Sequence, residues 1–348
     1  MLYDAVADLD VRVEGYDLEL RESETSSGFT RTTTVISLHG DGETGRGEDV
    51  TYENEAHYDL RDAPRISVEG EHSIDSFSDV LAGTDLFYGD EPGQSIFRNY
   101  RRWAFESAAL DLALKQADTN LAERLDSSYD PVRFVVSTRL EEPPKGDRVL
   151  DWLERDPELE FKLDPTSDWT AETVERLAET DAVRVLDLKG QYHGTEVDQS
   201  ADPELYELVI DGFPDALIED PELNDETRPL FDGNEGRVSW DYPIRSVGTV
   251  EDLPWEPDWL NIKPSRFGSV RSVFDTIEYC MENEIEMYGG GQFELSVGRE
   301  HLHALASLFY PNAPNDVAPK EYNTPKPADG LTSSPLQPPS QPRGMEWG

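Results

Sequence analysis

The stretch Leu260-Asn261-Ile262-Lys263-Pro264-Ser265-Arg266-Phe267-Gly268 decides the fold, because a short apolar strand runs into a lysine and is broken at once by a proline. A lysine in such a place is costly to bury. Earlier in the chain, other strand-like segments also end in one charged residue, at intervals of 22 to 32 residues: Asp241, Glu219, Asp187 and Lys162. One strand-helix unit of a parallel sheet has about that length. Five such units predict the catalytic face of a (β/α) barrel.

The part of the chain before the barrel pattern has a different character. Alternating apolar residues at 11–21 and 31–39 predict two strands joined by a polar loop, and the turn at 40–45 leads into a third strand. Residues 97–125 are apolar around most of a helical circumference, which is typical of a buried helix. We therefore predict an α/β protein with three parts: an α+β domain at 1–128, a (β/α) barrel at 129–322 and a mostly extended Pro/Ser-rich tail at 323–348.

The charge balance limits the partners of this protein. The chain has 74 acidic and 30 basic residues, a formal net charge of −44. Such a surface repels nucleic acid and anionic lipid, so neither is an expected partner. The composition is typical of proteins from salt-loving archaea. Only seven lysines are present, and three of them, Lys162, Lys189 and Lys263, lie at the predicted strand ends.

Cysteine use and hydropathy predict a soluble cytoplasmic protein. The single cysteine, Cys280, excludes an internal disulfide and is expected to act as a small core residue. No run of about 18 apolar residues is present, and the first residues lack the features of a signal peptide.

Three carboxylates on neighbouring strand ends, Asp187, Glu219 and Asp241, predict a metal site. Three converging negative charges would raise one another's pKa values, and a hard divalent cation removes that repulsion. An all-oxygen set of ligands suits Mg²⁺ best. Lys162 and Lys263 would then face each other across the metal, where the cation and burial lower a lysine's pKa and make a neutral amine available as a base.

These residues resemble the enolase superfamily, in particular the branch of muconate lactonizing enzyme and o-succinylbenzoate synthase. The resemblance covers nearly the whole chain and rests on five segments in order: SSGFTRTTTVISLHGDGETGRGE, RRWAFESAALDLALKQ, the three carboxylate strands, NIKPSRFG and GGGQFELSVGRE. It implies a capping domain followed by a (β/α)7β barrel of the TIM type. It also implies Mg²⁺ held by Asp187, Glu219 and Asp241, with Lys162 on the second strand and Lys263 on the sixth.

The resemblance implies a small carboxylate substrate that loses its α-proton to a lysine and forms a metal-stabilised enediolate. The enzyme class would be a lyase or isomerase: a racemase or epimerase, a dehydratase or a cycloisomerase. Lysines on both faces favour epimerisation or a dehydration of the o-succinylbenzoate type. Members of this family often form homo-oligomers.

Three positions depart from the family pattern. Glu160 replaces the first lysine of the usual Lys-x-Lys, Lys189 stands where asparagine is frequent, and Ser269 replaces a glycine. We hypothesise that Glu160 and Lys189 form an ion pair that restores the missing positive charge. The altered motif also keeps open an alternative function, a non-catalytic binding or scaffold protein with this fold.

Four further features are candidates for substrate contact or support. His193 follows the third strand, and a loop histidine is the simpler interpretation for it. Glu294 follows the glycine run at a position where the family often carries a substrate-facing acid. Arg266 is expected to pair with one of the many acids. The loop Thr25 to Thr32 either closes over substrate or is an exposed loop.

Overall fold

The computed structural model describes residues 1–24, 30–195, 197–323 and 330–347. The amino-terminal part, here called the cap, contains five strands and five helices in its described residues. Its strands are β1 Asp10–Val13, β2 Gly15–Glu24, β3 Thr30–Gly40, β4 Glu43–Asp49 and β5 Gly70–Ser73. Its helices are α1 Asp4–Ala7, α2 Asn54–Asp62, α3 Ile74–Ala82, α4 Phe97–Gln116 and α5 Leu121–Arg124.

The second part, here called the barrel, alternates strands with helices. Its strands are β6 Val136–Thr138, β7 Phe161–Leu163, β8 Val183–Asp187, β9 Leu217–Glu219, β10 Val238–Trp240, β11 Trp259–Ile262 and β12 Glu286–Gly289. Its helices are α6 Asp147–Leu153, α7 Ala171–Ala178, α8 Pro203–Gly212, α9 Val247–Glu251, α10 Pro264–Phe267, α11 Val270–Glu282 and α12 Val297–Phe309.

The cap is built on the predicted meander and the long helix. Strands β2, β3 and β4 form an antiparallel sheet, and β4 lies directly against α4. The glycines of the Gly-x-Gly motif permit this approach. A Cβ at Gly45 would lie 2.2 Å from the Ala108 carbonyl oxygen, and one at Gly47 would lie 2.0 Å from that of Ala104. Larger residues at these two positions would therefore force the sheet away from the helix.

The seven barrel strands form one parallel sheet in chain order from β6 to β12. A further segment joins its two edges. The Val135 amide donates to the Asn315 carbonyl at 2.8 Å, and the Asp316 amide donates to the Gly289 carbonyl at 2.8 Å. Because one segment hydrogen bonds to both edges, the sheet curls back on itself, and the carboxyl ends of all its strands face the same side.

Several details differ from the sequence predictions. The predicted helix 97–125 is two helices, since Asp118 takes a left-handed conformation (φ 53°) after α4, and Asn120 caps α5 by accepting from the Glu123 amide. A separate pair, β1 with β5, joins the cap through residues distant in sequence. Local periodicity carries no information on such pairing.

The tail is predicted to be mostly extended, and its described residues pack on the rest of the molecule. Leu336 exchanges two backbone hydrogen bonds with Val132, and the Met345 amide donates to Asp111 at 2.8 Å. The Trp347 ring meets Tyr129 edge to face. None of the helices in the described ranges has the length and apolar character that crossing a membrane requires.

Candidate active site

Three buried carboxylates lie at the ends of adjacent strands. Asp187 and Glu219 end β8 and β9 and pair directly in the sheet register, and Asp241 follows the last residue of β10. All three side chains have no exposed surface. The structure therefore brings the three predicted acids side by side at the carboxyl ends of adjacent strands.

Two lysines contact the first two carboxylates. The Lys162 ammonium, at the centre of β7, contacts Glu219 and lies 3.2 Å from Asp187 and 3.5 Å from Asp316. The Lys189 ammonium contacts Asp187 and lies 3.4 Å from Asp164.

The third carboxylate has its own partners. Lys263 lies 2.8 Å from one oxygen of Asp241, and Arg266 donates to the other at 2.8 Å. The Tyr192 hydroxyl donates to Asp241 at 2.8 Å and accepts from Arg266 at 2.9 Å. Arg266 pairs with an acid, as expected, but that acid belongs to the candidate site.

Strands β11 and β12 supply further contacts to Glu219. The Tyr288 hydroxyl donates to it, and the Asn261 amide donates to it at 3.2 Å. The glycine run after Tyr288 leaves room for these side chains. A Cβ at Gly290 would lie 2.6 Å from Asn261 and 2.7 Å from the Cε of Lys263.

Charge pairing gives the three carboxyl groups different proton affinities. Burial opposes ionisation of Asp187, but Lys189 and Lys162 outweigh it and hold its pKa far below the ordinary value. Burial also opposes ionisation of Asp241, where Arg266 and Lys263 lower the pKa to about 2. Burial, with Asp187 and Asp241 beside it, raises the pKa of Glu219 well above its ordinary value.

Lys162 keeps its proton in this arrangement. Burial lowers its pKa, but the charges of Glu219, Asp187 and Asp316 outweigh burial and raise it well above the ordinary value. A neutral Lys162 therefore requires that the charge of these carboxylates be balanced by another cation.

Asp220 fixes the backbone beside the third carboxylate. Its two oxygens accept from the Asp241 amide at 2.9 Å and the Tyr242 amide at 2.8 Å. Burial, with the charges of Asp241 and Asp187, raises the pKa of Asp220 to about 7. It adopts a left-handed conformation (φ 49°), which is uncommon outside glycine and common at functional sites.

The chemistry of these residues fits Mg²⁺. Carboxylate oxygens are the ligands that this ion prefers, and one Lys162 ammonium reaches Asp187 and Glu219 together, so a single cation can contact both. In the part of the chain that the structure describes, no group of three His, Cys, Asp or Glu side chains is arranged to hold a metal as it stands. Lysine and arginine side chains contact the oxygens of Asp187, Glu219 and Asp241.

The proposed ion pair between Glu160 and Lys189 is wrong. Glu160 accepts from Arg133 at 2.5 and 2.7 Å and from Arg184 at 2.6 Å, so it joins the strand regions on either side of β7. Lys189 contacts Asp187 instead. With two arginines already beside Glu160, no unpaired charge was left there for Lys189 to balance.

The other candidates divide between the site and the surface. The His193 side chain is 64% exposed and lies 3.8 Å from Asp198, outside the charged cluster. Glu294 is buried in the loop after β12, where one carboxylate oxygen accepts from the Gln292 amide at 2.7 Å and the other has no hydrogen-bond partner among the described residues. Thr25 to Thr32 was expected either to close over substrate or to form an exposed loop, and its residues 25–29 lie outside the described residues.

Sequence reasoning missed several contributors. Asn261 could have been found, because it precedes Lys263 by two positions and residues two apart share one face of a strand. Tyr288 could have been found by the same alternation along its strand, β12. Tyr192, Asp164 and Asp316 lie outside the named strands, where no periodicity places a side chain.

Comparison with protein families identifies the chain. Models of the N-terminal and C-terminal domains of DUF8230, a domain of unknown function, match residues 4–124 and 128–324. The chain belongs to the DUF8230 family. This DUF8230 protein is also 23% identical to the o-succinylbenzoate synthase of Bacillus subtilis over 257 residues, which are 70% of this chain and 67% of the relative.

Solved structures show which fold the DUF8230 chain has. A dipeptide epimerase from Methylococcus capsulatus complexed with Mg ion has a TM-score of 0.70 at 15% identity, covering 96% of this chain and 99% of the other. A member of the enolase superfamily from Listeria innocua has a TM-score of 0.62 at 20% identity, covering 89% and 83%. The fold is that of the enolase superfamily, a cap followed by a barrel, as the resemblance predicted. The similar proteins with a named activity, a synthase and an epimerase, are enzymes, in agreement with the prediction of an enzyme.

Proposed function

We propose that this protein catalyses Mg²⁺-dependent removal of a proton α to a carboxylate group of a small substrate. The observation that carries the proposal is the row of three buried carboxylates at adjacent strand ends, with Lys162 and Lys263 against different members of the row. Among the homologues, the dipeptide epimerase complexed with Mg ion supports the choice of metal.

Asp187, Glu219 and Asp241 are the residues that would hold Mg²⁺. When bound, the ion supplies positive charge that makes a proton next to a carboxylate easier to remove. Lys162 lies against Asp187 and Glu219, and Lys263 against Asp241. We assign each lysine the role of accepting a proton when neutral and returning one when charged, from the two sides of the substrate.

Two lysines favour a reaction that moves protons on both faces of one carbon. Epimerisation needs a base on one face and an acid on the other. A dehydration of the o-succinylbenzoate type instead needs one lysine as base and a second cation close by. Lys189 and Arg266 add positive charge to the same cluster, which favours a carboxylate substrate in a chain of net charge −44.

Exchange of substrate α-protons with deuterium tests the proposal. A panel of dipeptides, 2-hydroxy acids and dicarboxylates is incubated with the protein and Mg²⁺ in D₂O with molar KCl and followed by NMR. We expect exchange with at least one class, and a fall of about 10²- to 10⁴-fold in Lys162→Gln. Lys320→Gln, which changes an exposed lysine, is the matched control. Substrate binding without exchange in the parent protein would instead indicate the non-catalytic binding role.

A further inference from the structure

The loop between β12 and α12, residues 290–296, forms one wall of the candidate site. Gly290 packs so closely on Lys263 that a Cβ there would lie 2.7 Å from the lysine Cε. Glu294 lies in the same loop, 4% exposed. The position of this loop therefore limits where the Lys263 side chain can lie.

A carboxylate of the cap holds the far end of this loop. Glu48, 1% exposed at the end of β4, accepts from the backbone amides of Leu295 at 2.7 Å, Ser296 at 3.0 Å and Gly298 at 2.8 Å. The Thr33 hydroxyl donates to it as well, at 2.7 Å. Helix α12 has no side-chain cap of its own. Glu48 thus satisfies helix-terminal amides of the barrel from the other part of the molecule.

An arginine of the cap holds the middle of the loop. Arg31, on β3 and 1% exposed, donates to the Gln292 carbonyl at 2.9 Å and to the Val50 and Thr51 carbonyls at 2.6 Å each. Its guanidinium lies 4.3 Å from the centre of the Tyr52 ring. The Arg31 guanidinium therefore connects the residues after β4 to the barrel loop through hydrogen bonds.

Burying the Glu48 and Arg31 side chains costs the hydration free energy of both groups. Among the described residues neither Glu48 nor Arg31 has an ion-pair partner, although both are almost fully buried. Burial raises the pKa of Glu48, and the hydrogen bonds to its carboxylate oppose that rise. A buried charge is stable only when several hydrogen bonds compensate its lost hydration. The three backbone hydrogen bonds of Glu48 and one of those made by Arg31 come from the loop and the start of α12, so these four are kept only while the loop stays docked.

We propose that Glu48 and Arg31 are positioning residues that dock the 290–296 loop onto the cap and thereby fix Lys263 in the candidate site. The inference rests on the proposed function for its catalytic consequence. Because the loop packs on Lys263 and Lys162 lies on the distant strand β7, undocking affects proton transfer on the Lys263 face. Proton transfer by Lys162 is unchanged to a first approximation.

Backbone hydrogen exchange tests the docking directly. In Glu48→Gln, which keeps the shape but loses the charge, we expect peptides covering 289–300 to exchange about ten- to a hundredfold faster. Arg31→Lys should act on the same peptides, because lysine cannot make the forked contacts. Asp111→Asn is the control, a buried carboxylate that pairs with Lys115 and accepts from the Arg46 and Met345 amides, and that makes no hydrogen bond to residues 290–298 among those described. Thr33→Val removes only one donor and replaces Glu48→Gln if that variant does not fold.

The catalytic consequence is measured with a dipeptide whose α-proton exchanges. The exchange rate is followed separately for the two configurations of its α-carbon. We expect Glu48→Gln to slow exchange from one configuration and to leave the other near the parent rate, whereas a general loss of structure slows both. Mg²⁺ binding should be unchanged in Glu48→Gln, because the three carboxylates lie on other strands. Unchanged hydrogen exchange at 289–300 in both variants, or equal slowing of both configurations, overturns the inference. A parent protein without Mg²⁺ binding or proton exchange overturns the proposed function and leaves the docking to be judged by hydrogen exchange alone.

Discussion

Glu160 occupies a position between two arginines, and its carboxylate bonds to both of them. Arg133 and Arg184 donate to its two oxygens across three neighbouring strand regions, and the Glu160 side chain is 16% exposed. Burial opposes ionisation, yet the two arginines outweigh it and lower the pKa of Glu160. The residue that breaks the Lys-x-Lys pattern therefore supports the sheet and takes no part in the hypothesised ion pair with Lys189.

Restoring the family residue at this position should destabilise the protein. Glu160→Lys would place three cations together, so we expect the free energy of unfolding to fall by at least about 1.5–3 kcal/mol, the usual value for losing hydrogen bonds to a charged group. Urea unfolding of the parent, Glu160→Lys and Glu160→Gln measures this. A smaller loss in Glu160→Gln is expected, since it removes the pairing without adding repulsion. Equal or higher stability of Glu160→Lys would contradict the structural role.

Asp220 should affect metal binding without touching the metal. Asp220→Asn puts an amide NH₂ against the Asp241 or Tyr242 backbone amide and loosens the third carboxylate. Loss of such an orienting partner costs about 10- to 100-fold in metal affinity. Calorimetry with Mg²⁺ gives the affinity, and Asp225→Asn, an exposed change in the following loop, serves as control. Affinity equal to that of the parent would exclude this role.

Among the structural elements, α12 carries two buried histidines that should make stability depend on pH. Burial lowers the pKa values of His301 and His303 to about 4, although the hydrogen bond of His303 with the Val317 carbonyl partly opposes the effect on that residue. The unfolded chain takes up protons near pH 6.5. Between pH 6.5 and 4 the unfolded state thus binds protons that the folded state does not, and stability falls as pH falls.

His303→Gln isolates this effect because glutamine can donate to the same carbonyl and does not titrate. We expect the free energy of unfolding of the parent, relative to the variant, to fall by about 1.4 kcal/mol per pH unit from pH 6.5 towards 4. Denaturant unfolding at pH 7.5, 6, 5 and 4.5 gives the difference. A difference independent of pH would mean that His303 titrates normally in the folded protein.

Elements with strong local patterns were predictable from the sequence, and their partners were not. The strands expected to end at Asp187 and Glu219 do end there, and the long buried helix begins at Phe97 as predicted. The site carboxylates followed, because parallel strands end on one side. Tyr192 and the docking by Glu48 depend on contacts between distant segments, for which one sequence carries no periodic signal.

At the scale of the whole molecule, the net charge of −44 should make stability depend on salt. Repulsion among exposed carboxylates opposes the compact state, and the screening length falls from about 10 Å at 0.1 M salt to about 3 Å at 1 M. We expect the melting temperature to rise from 0.1 to 2 M KCl. Scanning calorimetry across this range measures it. A fall in melting temperature would show that salt weakens stabilising ion pairs more than it weakens the repulsion among carboxylates.

The central claim is that Asp187, Glu219 and Asp241 form a Mg²⁺ site at the carboxyl ends of adjacent strands. Titration calorimetry of Mg²⁺ into the parent protein and Glu219→Gln, in molar KCl, tests it most directly. The account predicts one site per chain in the parent and none in the variant, with both proteins folded by circular dichroism. A folded parent that binds no Mg²⁺, or a Glu219→Gln protein that binds it as tightly as the parent, would contradict the account.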